Sequence, residues 1–191
     1  MVTGVLVDAN VLFSRTLRDW LFLLRNETGG GMFTVWATED IMAETIYRYR
    51  RQHPTASGGL IASLHDRICE QLDDRIRDYE INGAFPGADE NDQHVHAAAG
   101  AAGAGILLTC DTGFSALSEV ERDALPYDVF TPDEFFCLIS DSQPSAVHEV
   151  TRCQVRYWLD RDGEVDLARR LVEAQCPRFA HTVAACINSL G

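Results

Sequence analysis

The sequence predicts an α/β protein: a three-layer arrangement in which helices cover both faces of a parallel sheet, followed by further helices at the C-terminal end. Three observations carry that prediction. Short apolar runs alternate with amphipathic stretches along most of the chain, as strands joined by crossover helices do. Two of the runs, GVLVD at residues 4–8 and GILLTCD at residues 105–111, share one form: a glycine, an apolar run and an aspartate at its end. From Pro144 onward the apolar positions keep helical spacing.

GVLVD has the length and apolarity of a strand buried on both faces. Leu12, Leu17, Trp20, Leu21 and Leu24 then recur at helical spacing, and Gly29 to Gly31 stop that helix ahead of a second strand, MFTVW. Thr38 is placed to cap a helix that runs through about Arg51 and is ended by Pro54. SGGLIASLHDRICEQL, residues 57–72, gives another helix, and YEINGAFPGAD, residues 79–89, reads as a strand followed by a loop. An alanine-rich helix spans Asn91 to Gly103, where the glycines pack closely and stop the helix before the strand in GILLTCD. In the tail, Val147, Val150, Val155, Trp158 and Leu159 mark one amphipathic helix and Leu167, Leu171 and Val172 another, with CPRFAHTVAACINSL as the last. The expected organisation is an α/β domain over residues 1–140 and a helical extension over residues 141–191.

With 191 residues and 46% hydrophobic content, the chain is long enough to bury a substantial core. No run has the length of a membrane span, the first residues lack the basic-then-apolar order of a secretory signal, and the six cysteines contain no CxxC pair. These features lead us to expect a cytoplasmic protein with reduced thiols serving as small apolar residues. The net charge is −13, and every basic side chain is an arginine. Such a surface repels phosphates at long range, which excludes a simple basic nucleic-acid binder. A nucleic-acid substrate would need a local arginine patch or metal ions at the site.

The acids themselves form a pattern. In an open parallel sheet, ligands bind beyond the carboxyl ends of the strands, where Asp8 and Asp111 both fall. Either one alone is explained as well by a turn, since aspartate readily bonds the backbone two residues on. Glu44 precedes Arg48 by four residues, the spacing of an exposed helical ion pair. Asp89 suits the N-cap of the alanine helix and Asp92 suits its first turn, where the helix dipole favours an acid, but Asp92 also shares its helical face with Val95, His96 and Ala99 and should point inward along the strand ends. Carboxylates gathered in one pocket repel one another unless a cation joins them, and hard ions such as Mg²⁺ or Mn²⁺ prefer oxygen ligands. The residues thus suggest a metal-dependent carboxylate site. His94 and His96, two apart on a helix, point to different faces and do not suggest zinc.

VLVDANVLF, the IMAE that ends at Glu44, DENDQHVHAAAGAAGAGILLTCDTGF and VFTPDEFF, in this order and spacing, resemble the PIN-domain nucleases, particularly the branch of VapC-type toxins. The resemblance covers roughly residues 4–140. It implies a PIN-like sheet and a Mg²⁺- or Mn²⁺-dependent endoribonuclease, the toxin of a toxin–antitoxin pair, whose acids are Asp8, Glu44, Asp92 and Asp111. Asp8, Asp92 and Asp111 would hold metal, with Asn10 and Asp89 as accessory groups. Arg15, Arg18, Arg48, Arg50 and Arg51 are candidates for contacts to RNA phosphates, with ion-paired, solvated helix faces as the alternative. The C-terminal helices either complete the core or offer a face to a small antitoxin or to a second copy in a homodimer. Two other classes compete. A phosphoesterase of the haloacid-dehalogenase type also begins with a strand and an aspartate but needs a second aspartate where Asn10 stands. A non-catalytic module would keep the fold and have no use for so full an acid set.

Overall fold

The computed structural model describes residues 2–81, 85–87, 92–162 and 166–190. In chain order the elements are β1 (Thr3–Val7), α1 (Ala9–Phe13), α2 (Arg15–Glu27), β2 (Phe33–Thr38), α3 (Glu39–Gln52), α4 (Gly58–Cys69), β3 (Asp74–Ile76) and α5 (Gln93–Ala102). They continue with β4 (Ile106–Leu108), α6 (Thr112–Ser115), α7 (Glu119–Asp123), β5 (Asp128–Phe130), α8 (Pro132–Ser142), α9 (Pro144–Asp162), α10 (Leu167–Glu173) and α11 (Pro177–Leu190).

Among the described residues the strands form one five-stranded sheet in the order β3-β2-β1-β4-β5, with every neighbouring pair parallel. β1 lies at the centre, where Val5, Leu6 and Val7 are fully buried, as the apolar run requires of a strand covered on both sides. Leu6 pairs with Trp36 on β2 and with Leu107 on β4. From β1 the chain steps outward to β2 and β3, then returns to the other side of β1 for β4 and β5. The order therefore reverses between β1 and β4, and the crevice at the carboxyl ends of those two strands is the place where such sheets bind ligands.

Local signals set most boundaries. Thr38 accepts from the Ile41 amide at 3.0 Å and starts α3. Gly103 ends α5 with φ +62°, a left-handed conformation that glycine adopts without strain. Two expectations are corrected. The helical stretch expected from Leu12 to Leu24 is broken at Ser14, whose hydroxyl accepts from the Leu17 amide and restarts the chain as α2. Among the described residues the third strand is Asp74–Ile76, and Tyr79–Ile81 form none; residues 82–84 and 88–89 of the segment chosen from sequence lie outside the described residues. β3 is a short edge strand with Asp74 and Arg75 exposed, so it carries no apolar run, while Ile81 in the segment chosen from sequence is 56% exposed.

The chain divides into two compact units, Met1–Phe13 with Gly31–Phe130, and Ser14–Gly30 with Thr131–Gly191. The division does not fall at residue 140: α2 and α8 belong to the helical unit. Its core explains why. Phe179 of α11 meets Trp20 of α2 edge-on at 5.0 Å and Phe136 of α8 at 5.1 Å. Buried Asp133 accepts from the Phe179 amide at 2.9 Å, which ties α8 to the start of α11. Trp158 of α9 donates to Gln154 at 3.1 Å and lies under the Arg170 guanidinium, 3.8 Å from its ring centre. No helix among the described residues is long and apolar enough to cross a membrane. Of the cysteines expected to be buried, Cys176 is, whereas Cys153 is exposed and the other four are half-buried.

Candidate active site

Asp8 follows β1 directly and is only 7% exposed, so its carboxylate needs partners. One oxygen, Oδ1, accepts from the Ala9 amide at 2.6 Å. The other, Oδ2, accepts from Asn10 Nδ2 at 2.6 Å and from the Thr109 hydroxyl at 2.7 Å. Asn10 is clamped in turn, since its Oδ1 accepts from the Cys110 amide at 3.0 Å. Asn10 thus ties the end of β1 to the turn after β4.

Thr109 was not singled out from the sequence, yet it is the hub of this turn. Its hydroxyl gives its proton to Asp8 and accepts from Asn10 Nδ2 at 3.2 Å and from the Asp111 amide at 2.9 Å. A hydroxyl has one donor and two acceptor positions, and all three are used. Its signal in the sequence was its place between the apolar run ILL and Asp111, where a small hydroxyl can reach the neighbouring strand end.

Asp111 behaves as a turn residue in one respect: its Oδ1 accepts from the Gly113 amide at 2.6 Å and caps α6. The N-cap of α5, expected at Asp89, falls on Asp92. This residue has a helical backbone, is 7% exposed and makes no side-chain capping bond. Its carboxylate turns to Gly113 instead. A Cβ built on Gly113 would lie 2.5 Å from Asp92 Oδ2 and 3.1 Å from Asp111 Oδ1, so the two carboxylates flank the one residue whose missing side chain leaves them room. The structure brings Asp92 and Asp111 together here, and Thr109 joins Asp111 to Asp8.

Glu44 forms the expected pair with Arg48, with Oε1 taking Nη2 at 2.7 Å and Nε at 3.0 Å. The pair also acts on Asp8. Burial pushes the Asp8 carboxyl above the usual range, the Thr109 and Ala9 hydrogen bonds oppose this, the Glu44 charge adds to it and Arg48 opposes it. Burial and the neighbouring Asp8 and Asp111 likewise push the Cys110 thiol up to about 11, which keeps it protonated at neutral pH. His96 Nδ1 lies 2.7 Å from the Tyr127 hydroxyl, and its ring packs on Phe85. This histidine serves packing. Burial first, then Asp92, raises the Tyr127 phenol.

The arginines separate. Arg15 and Arg18 lie on α2 in the helical unit, where Arg15 pairs with Asp19 at 3.4 Å and lies over Trp158. Arg48 and Arg51 lie on α3 in the sheet unit with the acids. Arg50 donates to the Ala56 carbonyl beyond the helix end. Asp89 lies outside the described residues.

Asp8, Glu44, Asp92 and Asp111 carry carboxylate oxygens, the donors that hard divalent ions prefer, while Asn10 and Thr109 are taken up in holding Asp8 and the turn after β4. Among the described residues no three of histidine, cysteine, aspartate or glutamate form a ready-made metal cage. Mg²⁺ does not require one, because it ordinarily takes one or two carboxylates and keeps several waters. The carboxylate oxygens of Asp92 and Asp111, which flank Gly113, are donors of the type that Mg²⁺ or Mn²⁺ prefers.

Buried Asp8 lies at the carboxyl end of β1, beside the point where the strand order of this parallel sheet reverses and where such sheets bind ligands. The PIN domain family matches residues 4–113, more than half of the chain, and this protein belongs to that family. Membership indicates a nuclease-type function. No curated protein and no solved structure matches the chain.

Proposed function

We propose that this protein is a metal-dependent endoribonuclease that hydrolyses phosphodiesters in RNA, and that it acts in the cytoplasm as the toxin of a toxin–antitoxin pair. The observation that carries the reading is the convergence of Asp92 and Asp111 on Gly113, joined to buried Asp8 through Thr109, at the carboxyl ends of β1 and β4.

A bound Mg²⁺ or Mn²⁺ would supply an activated water and offset the charge that builds on the phosphate in the transition state. The chain's residues do the rest. Asn10, Thr109 and the Ala9 amide fix the Asp8 carboxylate in one orientation, so little reorganisation is needed when a cation or phosphate arrives. Asp92 makes no side-chain capping bond at the head of α5, and its carboxylate lies with that of Asp111 against Gly113. Glu44 orients water from α3, and Arg48, which holds it, is a guanidinium able to fork onto a phosphate. No residue needs to form a covalent bond to the substrate. The haloacid-dehalogenase alternative loses ground for a geometric reason: the Asn10 amide, where an acid/base aspartate would stand, is locked between Asp8, Thr109 and Cys110.

As a toxin, the protein would be held inactive by a small antitoxin, and either that partner or a second copy would cover apolar helical surface. The nuclease is tested with labelled single-stranded RNAs incubated with Mg²⁺, Mn²⁺ or chelator. Cleavage with metal, lost in chelator and in Asp92→Asn, supports the reading. Undiminished cleavage in chelator, or none under any condition, overturns it. Co-purification from the native operon, with activity measured before and after removal of any companion, tests the toxin assignment separately.

A further inference from the structure

The second half of α3 reads Tyr47, Arg48, Tyr49, Arg50, Arg51, which places three of the chain's sixteen arginines within four consecutive positions of a protein with net charge −13. Two of these residues are used locally. Tyr49 packs against His53 with ring centres 4.5 Å apart and the rings tilted by 40°, and Arg50 reaches the Ala56 carbonyl, so both secure the end of the helix. The other three serve no such purpose. Tyr47, Arg48 and Arg51 follow Glu44 by three, four and seven residues and so share its helical face. Tyr47 is 60% exposed, and the Arg51 guanidinium lies 5.8 Å from the centre of its ring. Arg48 connects this face to the acids through Glu44, whose charge is felt at Asp8.

An exposed aromatic ring steadied by one arginine, with a second arginine between it and a carboxylate pocket, is the combination that grips single-stranded nucleic acid: a π-face for a base and guanidinium forks for phosphates. We propose that Tyr47, Arg51 and Arg48 form a platform that seats a nucleotide flanking the scissile bond, with its base stacked on Tyr47 and its phosphates on Arg51 and Arg48; this rests on the nuclease reading above. The platform selects single strands, because a duplex hides its base faces in its own stack. A protein partner suits this surface less well, since the ring's neighbours at helical spacing are Glu44, Arg50, Arg51 and the small Ala43, a mostly charged rim. The site also resolves the contradiction posed by the acidic composition. Substrate needs a local cationic strip beside the acids, and α3 supplies one.

The test compares the full-length wild type with Tyr47→Ala, Tyr47→Phe, Tyr47→Trp and Arg51→Ala. Binding of a short single-stranded RNA and of the same sequence as a duplex is measured by fluorescence anisotropy in chelator, and cleavage is measured with Mn²⁺. Tyr47→Ala should weaken single-strand binding by about 5- to 100-fold, as loss of one stacked base does. KM should rise accordingly while kcat stays within about twofold, because the ring binds ground and transition states alike. Tyr47→Phe should bind as wild type, and the fluorescence of Tyr47→Trp should be quenched by the single strand. Arg51→Ala should reduce the dependence of log affinity on log salt by about 0.7, the share of one phosphate contact on a single strand. If wild type cleaves RNA and Tyr47→Ala matches it in affinity and KM, the platform is wrong and the nuclease stands. Binding that depends on Tyr47 without metal-dependent cleavage upholds the platform and removes the nuclease. If wild type neither binds nor cleaves, both fall. A companion protein that binds wild type but not Tyr47→Ala, with RNA affinity unchanged, assigns the surface to a protein and overturns the proposal.

Discussion

Substituting Gly113 by alanine separates the demands of catalysis from those of the fold. The added Cβ would meet Asp92 Oδ2 at 2.5 Å and Asp111 Oδ1 at 3.1 Å. A carbon and a carboxylate oxygen settle at about 3.3 to 3.6 Å, so the Asp92 oxygen must retreat by about 1 Å and the Asp111 oxygen by a few tenths. Catalytic groups misplaced by about 1 Å cost on the order of 100-fold in rate, and metal affinity should fall with it, since the same two oxygens move. Stability responds differently. Gly113 lies in α6 without a positive φ, and its amide still reaches Asp111. Alanine there gains roughly 0.4 to 1 kcal/mol by restricting the unfolded chain, which offsets the strain of moving a carboxylate. We therefore expect a melting temperature within about 4 °C of wild type, the equivalent of roughly 1 kcal/mol at this chain length. The assays are kcat on single-stranded RNA, Mn²⁺ affinity by calorimetry and thermal unfolding by circular dichroism. Wild-type turnover together with wild-type metal affinity in Gly113→Ala would refute the assignment of Asp92 and Asp111 to one working site.

Three further outcomes are expected. Asp8→Asn should abolish cleavage in a folded protein and alter the pH dependence of metal-free stability. Because burial raises the Asp8 carboxyl in the folded state, the native protein holds this proton more tightly than the unfolded chain. That stabilisation is fully present below the ordinary value of 3.8 and is lost as pH rises through the higher folded value. In chelator, wild type should therefore lose stability relative to Asp8→Asn over that window, as read from urea midpoints, and parallel curves would contradict it. Glu44→Gln should lower kcat more than RNA affinity while changing stability by only about 0.5 kcal/mol, since its ion pair is partly exposed; unchanged turnover would reduce Glu44 to a partner of Arg48. Tyr127→Phe removes the 2.7 Å bond to His96 and keeps the ring packing, so unfolding should cost about 1 kcal/mol less, with no loss registering as a failure of this contact to stabilise α5.

Much of the fold was legible locally because its signals are local. The apolar run at Val5–Val7 requires burial on both faces, Thr38 and Ser57 cap the helices that follow them, and Gly103 ends α5 with a backbone that other residues resist. The positions of the acids relative to the strand and helix ends were legible too, although an aspartate at such an end serves a turn or a cap equally well, as Asp111 does at α6. β3 was not, since an edge strand of three residues with two exposed polar side chains has no hydrophobic period to read. Neither was the placement of α2 and α8 with the C-terminal helices, which depends on Trp20 and Phe136 both meeting Phe179, far along the chain.

For the site, sequence alone determined which residues carry the charge, and tertiary structure decided which of them meet. Nothing in the spacing of Asp8 and Thr109, 101 residues apart, foretells their hydrogen bond; it exists because Val7 and Leu108 are paired in the parallel sheet, and the residues just beyond them share one turn. The same holds for Gly113, an unremarked residue in CDTGF until the fold turns Asp92 against it. Propensity, capping and hydrophobic period are properties of neighbours along the chain, whereas a carboxylate's desolvation and its partners depend on whatever strands and helices pack around it.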